Sequence, residues 1–257
     1  MDIVGKMPTA PGQRIYMLAL MDYFTKWVEA EAFHQVRDTE VKNFVWKNII
    51  CRFGVPHEIV TDNGPQFISF AFQDFCAEWN IKLTFATPRQ PQSNGQAEST
   101  NKTIVNTLRK RLENAKGKWA DELPGVLWSY RTTSKNSTGA TPFSLAFGTE
   151  AVIPAKISIP TVRSQFATQE ENNTMMNFEL DTIDEKWEAA AARTAHYKLQ
   201  AAKYYNKNVC TRTFQAGEWV LRKVFQNTKE AGAGKLGPNW EGPYEITHIV
   251  GNGAYKL

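Results

Sequence analysis

The chain has 257 residues, 42% of them hydrophobic, with a net charge of +4 and a pI near 8.8, enough to bury a core in two domains and to exclude a disordered tail. Its longest apolar run, Ile15 to Met21, is too short to cross a bilayer and no charged start precedes an apolar stretch, so a soluble, intracellular protein with no membrane partner is expected. Three widely spaced cysteines (Cys51, Cys76, Cys210) and four histidines without metal-ligand spacing (His34, His57, His196, His248) exclude a disulfide framework and a Cys/His zinc cluster.

Alternation and β-branching predict a strand from Asp2, a second over 15–22 and a third over 26–32, together a meander. Asp38 is placed to cap a helix with Val41, Phe44, Val45 and Ile49 on one face, closed by Gly54 with Pro56 beyond. A short strand over 58–61 delivers Asp62 to its end, where Asn63-Gly64-Pro65 turns the chain. Ser69 can cap a helix that turns Phe72, Phe75, Cys76 and Trp79 inward, and residues 81–85 alternate as another strand. The order to this point is βββαβαβ.

Residues 87–95, Thr-Pro-Arg-Gln-Pro-Gln-Ser-Asn-Gly, exclude regular structure and suit a functional loop. A helix of about twenty residues should begin near Asn94, with Ala97, Ile104, Leu108 and Leu112 as its buried stripe. At about 100° per residue, Glu98, Lys102, Arg109 and Lys116 fall along one edge of that stripe, a ridge of one carboxylate and three cations. Segment 94–118 holds six Lys/Arg against two Glu, a local surplus equal to that of the whole chain.

A second helix through Trp119, Leu123, Val126, Leu127 and Tyr130 is broken by Ser-Thr-Gly-Ala-Thr-Pro-Phe (137–143), and an apolar turn ending at Gly148 closes the first domain. Residues 149–172 read as a linker and about 174–206 as one long helix rich in alanine and charge. From Phe214 the glycines and short alternating runs have the texture of a small barrel, with Asn252-Gly253 as a hairpin turn between 244–250 and 254–257. The aromatic residues Phe72, Phe75, Trp79, Trp119, Trp128 and Tyr130 are expected in the core.

The candidate chemistry rests on Asp2, Asp62 and Glu98, the last two separated by 35 residues. Carboxylates from a first strand, a strand end and a helix can hold two magnesium ions about 4 Å apart against a phosphodiester. Each also has a plain alternative, since Asp62-Asn63-Gly64 suits a simple turn and Glu98 suits a helix dipole.

The company these residues keep adds to the reading. Asp-Ile-Val-Gly (2–5), Phe-Gly-Val-Pro (53–56), Thr-Asp-Asn-Gly-Pro-Gln-Phe (61–67), Pro-Gln-Ser-Asn-Gly-Gln-Ala-Glu (91–98), Ser-Thr-Gly-Ala-Thr-Pro-Phe (137–143) and Trp-Glu-Gly-Pro-Tyr (240–244) stand in order along the chain. In these it resembles the integrase of gypsy-type long-terminal-repeat retrotransposons. The resemblance implies an α/β fold: an RNase-H-like core, a mixed sheet flanked by helices (1–148), a linker and long helix (149–212), and a small Src-homology-type β-barrel (213–257), incomplete at its end.

It further implies 3′-end processing and strand transfer of element DNA into host DNA. Asp2, Asp62 and Glu98 would be catalytic residues and ligands of two Mg²⁺ or Mn²⁺ ions, with no zinc. DNA contacts would come from Asn63, Gln92, Ser93, Asn94, Lys102, Arg109 and Lys116, with Arg222 and Lys223 as weaker candidates. Element ends and host target DNA would be the partners, the protein a homo-oligomer, and its location the nucleus. The family's amino-terminal His/Cys zinc module has no counterpart before Asp2, which suggests a piece of a larger polyprotein or a decayed copy. A catalytically silent DNA-binding relic and an RNase-H-like nuclease of another kind are the rival readings.

Overall fold

The computed structural model describes residues 1–86, 95–112, 116–151, 168–207, 212–224, 238–251 and 254–257. They divide into two compact units, Met1–Leu199 and Gln200–Leu257.

The first unit is built on strands β1 (Asp2–Val4), β2 (Tyr16–Met21) and β3 (Val28–Phe33), an antiparallel meander in the order β1-β2-β3. Consecutive strand residues point to opposite faces, and in β2 both faces are covered: Met17 and Leu18 are fully buried on different sides. Strands β4 (Glu58–Thr61) and β5 (Lys82–Phe85) pair in parallel, which requires a crossover, supplied by helix α3 (Phe70–Glu78). The amino group of Met1 donates to the Val60 carbonyl at 2.6 Å, so β1 begins against β4 and brings the two sheets side by side.

Helix α1 (Asp38–Val45) runs into a π turn (Trp46–Ile50) and a last turn, α2 (Cys51–Phe53), ended by Gly54 at φ 88°. With α3 it covers one face, packing Val41, Phe44, Phe72 and Cys76 on Leu18 and Ile59. The other face is covered by α4 (Gly95–Leu112) and α5 (Trp119–Arg131), joined through a 3-10 turn at Lys116–Lys118. Ile104, Leu108 and Leu112 of α4 and Trp119, Leu123, Val126 and Leu127 of α5 pack on Met17 and Val28. Each such side chain removed from water is worth about 1.5–3 kcal/mol, which holds α4 against the sheet despite its polar outer face.

Helix α6 (Pro142–Phe147) follows, capped by the Thr141 hydroxyl, and then α7 (Gln169–Asp181) and α8 (Ile183–Tyr205). The second unit holds the antiparallel pairs β6 (Trp219–Lys223) with β7 (Trp240–Glu245) and β8 (His248–Gly251) with β9 (Ala254–Lys256), with Ile246 buried between β7 and β8. Among the described residues no helix is long and apolar enough to cross a membrane.

Four sequence expectations are corrected. Lys26 belongs to the turn and not to β3, with φ 63° and its amide donating to the Asp22 carbonyl. Asp38 opens α1 as its first residue, after Arg37. The helix expected from residue 174 begins at Gln169, because the Thr168 hydroxyl and the Glu171 carboxylate cap it reciprocally, and Thr182 divides it in two. Trp128, expected in the core, is 37% exposed at the rim and packs edge-on against Phe143. The place of Lys116 on the predicted ridge lies outside the described residues. The expectations for the 87–95 loop (except Gly95) and for the Asn252-Gly253 turn lie outside the described residues.

Candidate catalytic site

Asp2 is the first residue of β1 and is half-buried. Its Oδ2 accepts a hydrogen bond from Asn101 Nδ2 of α4 at 2.8 Å. Asn101 is 6% exposed and lies on the buried stripe of its helix, where a side-chain amide needs a partner; Asp2 is that partner.

Asp62 follows the last residue of β4 and is exposed. Its Oδ1 accepts from the Gly64 amide at 3.1 Å, the local bond by which an aspartate turns its own backbone. A Cβ at residue 64 would stand 2.7 Å from Gln66 Nε2 and 3.1 Å from Asp62 Oδ1, so glycine is what leaves room for the carboxylate. Asn63 is exposed on the same turn.

The Met1 amine that donates to the Val60 carbonyl joins the start of β1 to β4 two residues before Asp62; burial pushes that amine down to about 6, against the opposite pull of the Asp2 and Asp62 carboxylates.

Glu98 lies in the first turn of α4 and is exposed. It is one turn before Asn101 and thus on the helix that touches Asp2, but among the described residues no three Asp, Glu, His or Cys side chains stand close enough to share an ion. The structure therefore places Asp2 and Asp62 on two strands joined through the Met1–Val60 hydrogen bond, and among the described residues no three-acid group includes Glu98.

Lys102 and Arg109 are exposed on α4, and among the described residues Arg109 meets Asn106 at 3.5 Å. Gln92, Ser93, Asn94 and the Lys116 side chain lie outside the described residues. In the second unit Arg222 is held by Glu241 at 2.6 Å and lies over the Tyr244 ring, so a local carboxylate already occupies it.

Sequence reasoning passed over three polar residues that fix the start of α4. Gln96 Oε1 accepts from Lys26 Nζ at 2.6 Å, the Thr100 hydroxyl reaches Met21 Sδ at 3.1 Å, and Asn101 holds Asp2. For Asn101 the signal was present: between Ala97 and Ile104 it sits in phase with the apolar stripe. A cavity of about 430 Å³ adjoins this region, lined among others by Met1, Val60, Tyr23, Gln96, Ala97 and Trp187.

Residues 1–91 match the family model of the integrase core domain. Over these residues the chain carries integrase core-domain sequence. A segment of the Gag-Pol polyprotein of avian reticuloendotheliosis virus is 30% identical over 242 residues, covering 94% of this chain and 20% of the polyprotein. The transposon Tf2-3 polyprotein of Schizosaccharomyces pombe is 25% identical over 267 residues, covering 100% of this chain and 18% of that protein. The chain thus spans about a fifth of the length of these curated relatives.

Among solved structures, a chain of the simian T-cell lymphotropic virus intasome, in complex with the PP2A regulatory subunit B56 gamma, is similar with a TM-score of 0.50. It is 23% identical, and the match covers 60% of this chain and 55% of the intasome chain, a likeness of fold. Residues 214–257 match a domain of unknown function (DUF8803).

Proposed function

We propose that this chain is a polynucleotidyl transferase that integrates retrotransposon DNA: water trims the 3′ ends of the element, and the exposed 3′ hydroxyl then attacks a host phosphodiester in the same site. The observation that carries this reading is the meeting of three elements. The Met1–Val60 hydrogen bond joins the start of β1, with Asp2, to the end of β4, with Asp62, and Asn101 of α4 holds Asp2. Both reactions are in-line displacements, for which positioning and charge supply most of the rate enhancement.

Asp2, Asp62 and Glu98 are the proposed ligands of two Mg²⁺ or Mn²⁺ ions. The donor chemistry suits them, since hard divalent cations take carboxylate oxygen, and Asp2 and Asp62 stand on strands joined through the Met1–Val60 hydrogen bond. When bound, the ions would neutralise charge developing on the phosphate oxygens. Orientation falls to the chain itself. Asn101 pins one oxygen of Asp2, the Gly64 amide pins one oxygen of Asp62, and each carboxylate keeps its second oxygen for the reacting centre.

On this reading Asn63, Gln92, Ser93, Asn94, Lys102, Arg109 and Lys116 contact DNA, and the protein works as a homo-oligomer in the nucleus on element ends and host DNA. The proposed division is a catalytic core over 1–148, a linker and long helix over 149–212, and a β-barrel over 213–257. The two antiparallel pairs β6–β7 and β8–β9 support the last part.

The position of Glu98 outside a three-acid group favours a second reading, a DNA-binding relic without catalysis. An end-processing assay separates the two: a labelled duplex with an element end is incubated with the chain and magnesium or manganese. Release of the terminal 3′ nucleotides supports the integrase, salt-sensitive binding without cleavage under either metal supports the relic, and cutting without any joining supports a nuclease.

A further inference from the structure

Two ammonium groups and one phenol meet on the hairpin between β2 and β3, beside the start of α4. The left-handed backbone of Lys26 folds its side chain back, so that Nζ donates to the Tyr23 carbonyl and, at 2.6 Å, to Gln96 Oε1. The same Nζ lies 4.7 Å from the centre of the Tyr23 ring. Lys198 of α8 arrives from far along the chain, with Nζ 4.5 Å from that ring and donating to the Tyr23 hydroxyl.

Among the described residues neither ammonium forms an ion pair with a carboxylate. The acid that faces them, Asp22, accepts from the amide and hydroxyl of Thr25 at 2.7 and 2.6 Å. Burial and then the charge of Lys198 lower the Lys26 amine to about 8, with Asp22 pulling the other way, so the two cations repel across the ring. An ammonium has three donors; Lys26 commits two to the protein and Lys198 one. Tyr23 and Lys198 are both exposed. Two like charges gathered on one exposed ring, with donors to spare, form a half-built site that an anion would complete.

We propose that Lys26, Lys198 and Tyr23 cradle one backbone phosphate of the DNA strand that runs into the site. This rests on the integration reading above and adds a contact outside α4. The cradle is tied to α4 through Gln96, two residues before Glu98, so a phosphate seated there sets where the strand lies along that helix. Such contacts fix register and carry no sequence information. Lys26 is the fixed half of the cradle and Lys198 the exposed half.

The test is fluorescence anisotropy of the full chain with a duplex of about 30 base pairs between about 50 and 200 mM salt. Lys198→Gln is expected to reduce the slope of log K against log salt by about 0.9, one phosphate's worth, and to weaken binding several-fold at low salt, while Lys198→Arg keeps the slope. Tyr23→Phe is expected to weaken binding about two- to threefold at unchanged slope, and Lys47→Gln, an exposed lysine elsewhere, to change neither. A Lys198→Gln protein that keeps the parent slope and affinity, or an equal fall in Lys47→Gln, overturns the cradle while leaving DNA binding intact. A parent chain that binds no duplex overturns the cradle and the integration reading together.

Discussion

Asn101 and Asp2, separated by 99 positions in sequence, are joined at 2.8 Å by a hydrogen bond from amide to carboxylate, and through it α4 touches β1. A buried hydrogen bond to a charged group contributes about 1.5–3 kcal/mol. Asn101→Ala is therefore expected to lower the unfolding free energy by roughly that amount. Asn101→Asp should cost more, since it sets a second negative charge against Asp2, and magnesium should recover part of the difference. Thermal melts of the three proteins with and without magnesium chloride check this ordering.

A divalent ion held by Asp2, Asp62 and Glu98 in the folded chain alone should raise its melting temperature. At a concentration about 100 times its Kd the gain is about 2.7 kcal/mol. Asp62→Asn should abolish most of the shift. A parent melting temperature indifferent to both magnesium and manganese would count against an intact site.

The order βββαβαβ was legible because these strands alternate and their helices are amphipathic over whole turns. Residues 58–61 were found as the strand that carries Asp62, and Ser69 as the cap of α3. What escaped has physical reasons. The π turn at Trp46–Ile50 has the apolar spacing of an ordinary helix, and Lys26 adopts a backbone that non-glycine residues seldom take. The capping box at Thr168 and Glu171 was readable and was passed over. At the site, sequence pointed to Asp2, Asp62 and Glu98 as a converging trio, but a helix's phase says nothing of how far Glu98 stands from partners on other strands.

Glu29 is a buried carboxylate shared by two cations, with Arg131 Nη2 at 2.8 Å and Arg52 Nη1 at 2.7 Å, and it also accepts from Trp27 Nε1 at 2.9 Å. Arg131 stacks over Trp27 at 4.4 Å, so β3, α2 and α5 meet here. Removing one partner of a buried pair strands the other, at about 3–5 kcal/mol. Glu29→Ala should lower stability by that order in urea denaturation. Arg52→Ala, with its side chain 43% exposed, should cost under about 1 kcal/mol.

Burial lowers the Lys135 amine from 10.5 to about 8, with Nζ set over the Tyr130 ring. Because the folded pKa is below the unfolded one, the unfolded chain binds more protons between these values. Stability should thus rise with pH across that window, and the destabilising effect should be fully present below about pH 8. Lys135→Gln is expected to flatten the rise, read from urea midpoints at about pH 7.5 and 9.5. A parent and variant with parallel pH profiles would contradict it.

The central claim is that Asp2, Asp62 and Glu98 act as one phosphoryl-transfer site. It is tested most directly by strand transfer of a pre-processed element end into a target duplex, using the parent chain, Asp62→Asn and Glu98→Gln with magnesium or manganese. The account expects joined product from the parent and its loss, by at least about a hundredfold, in both variants. No joining by the parent with either metal, or joining that survives in Glu98→Gln, would contradict it.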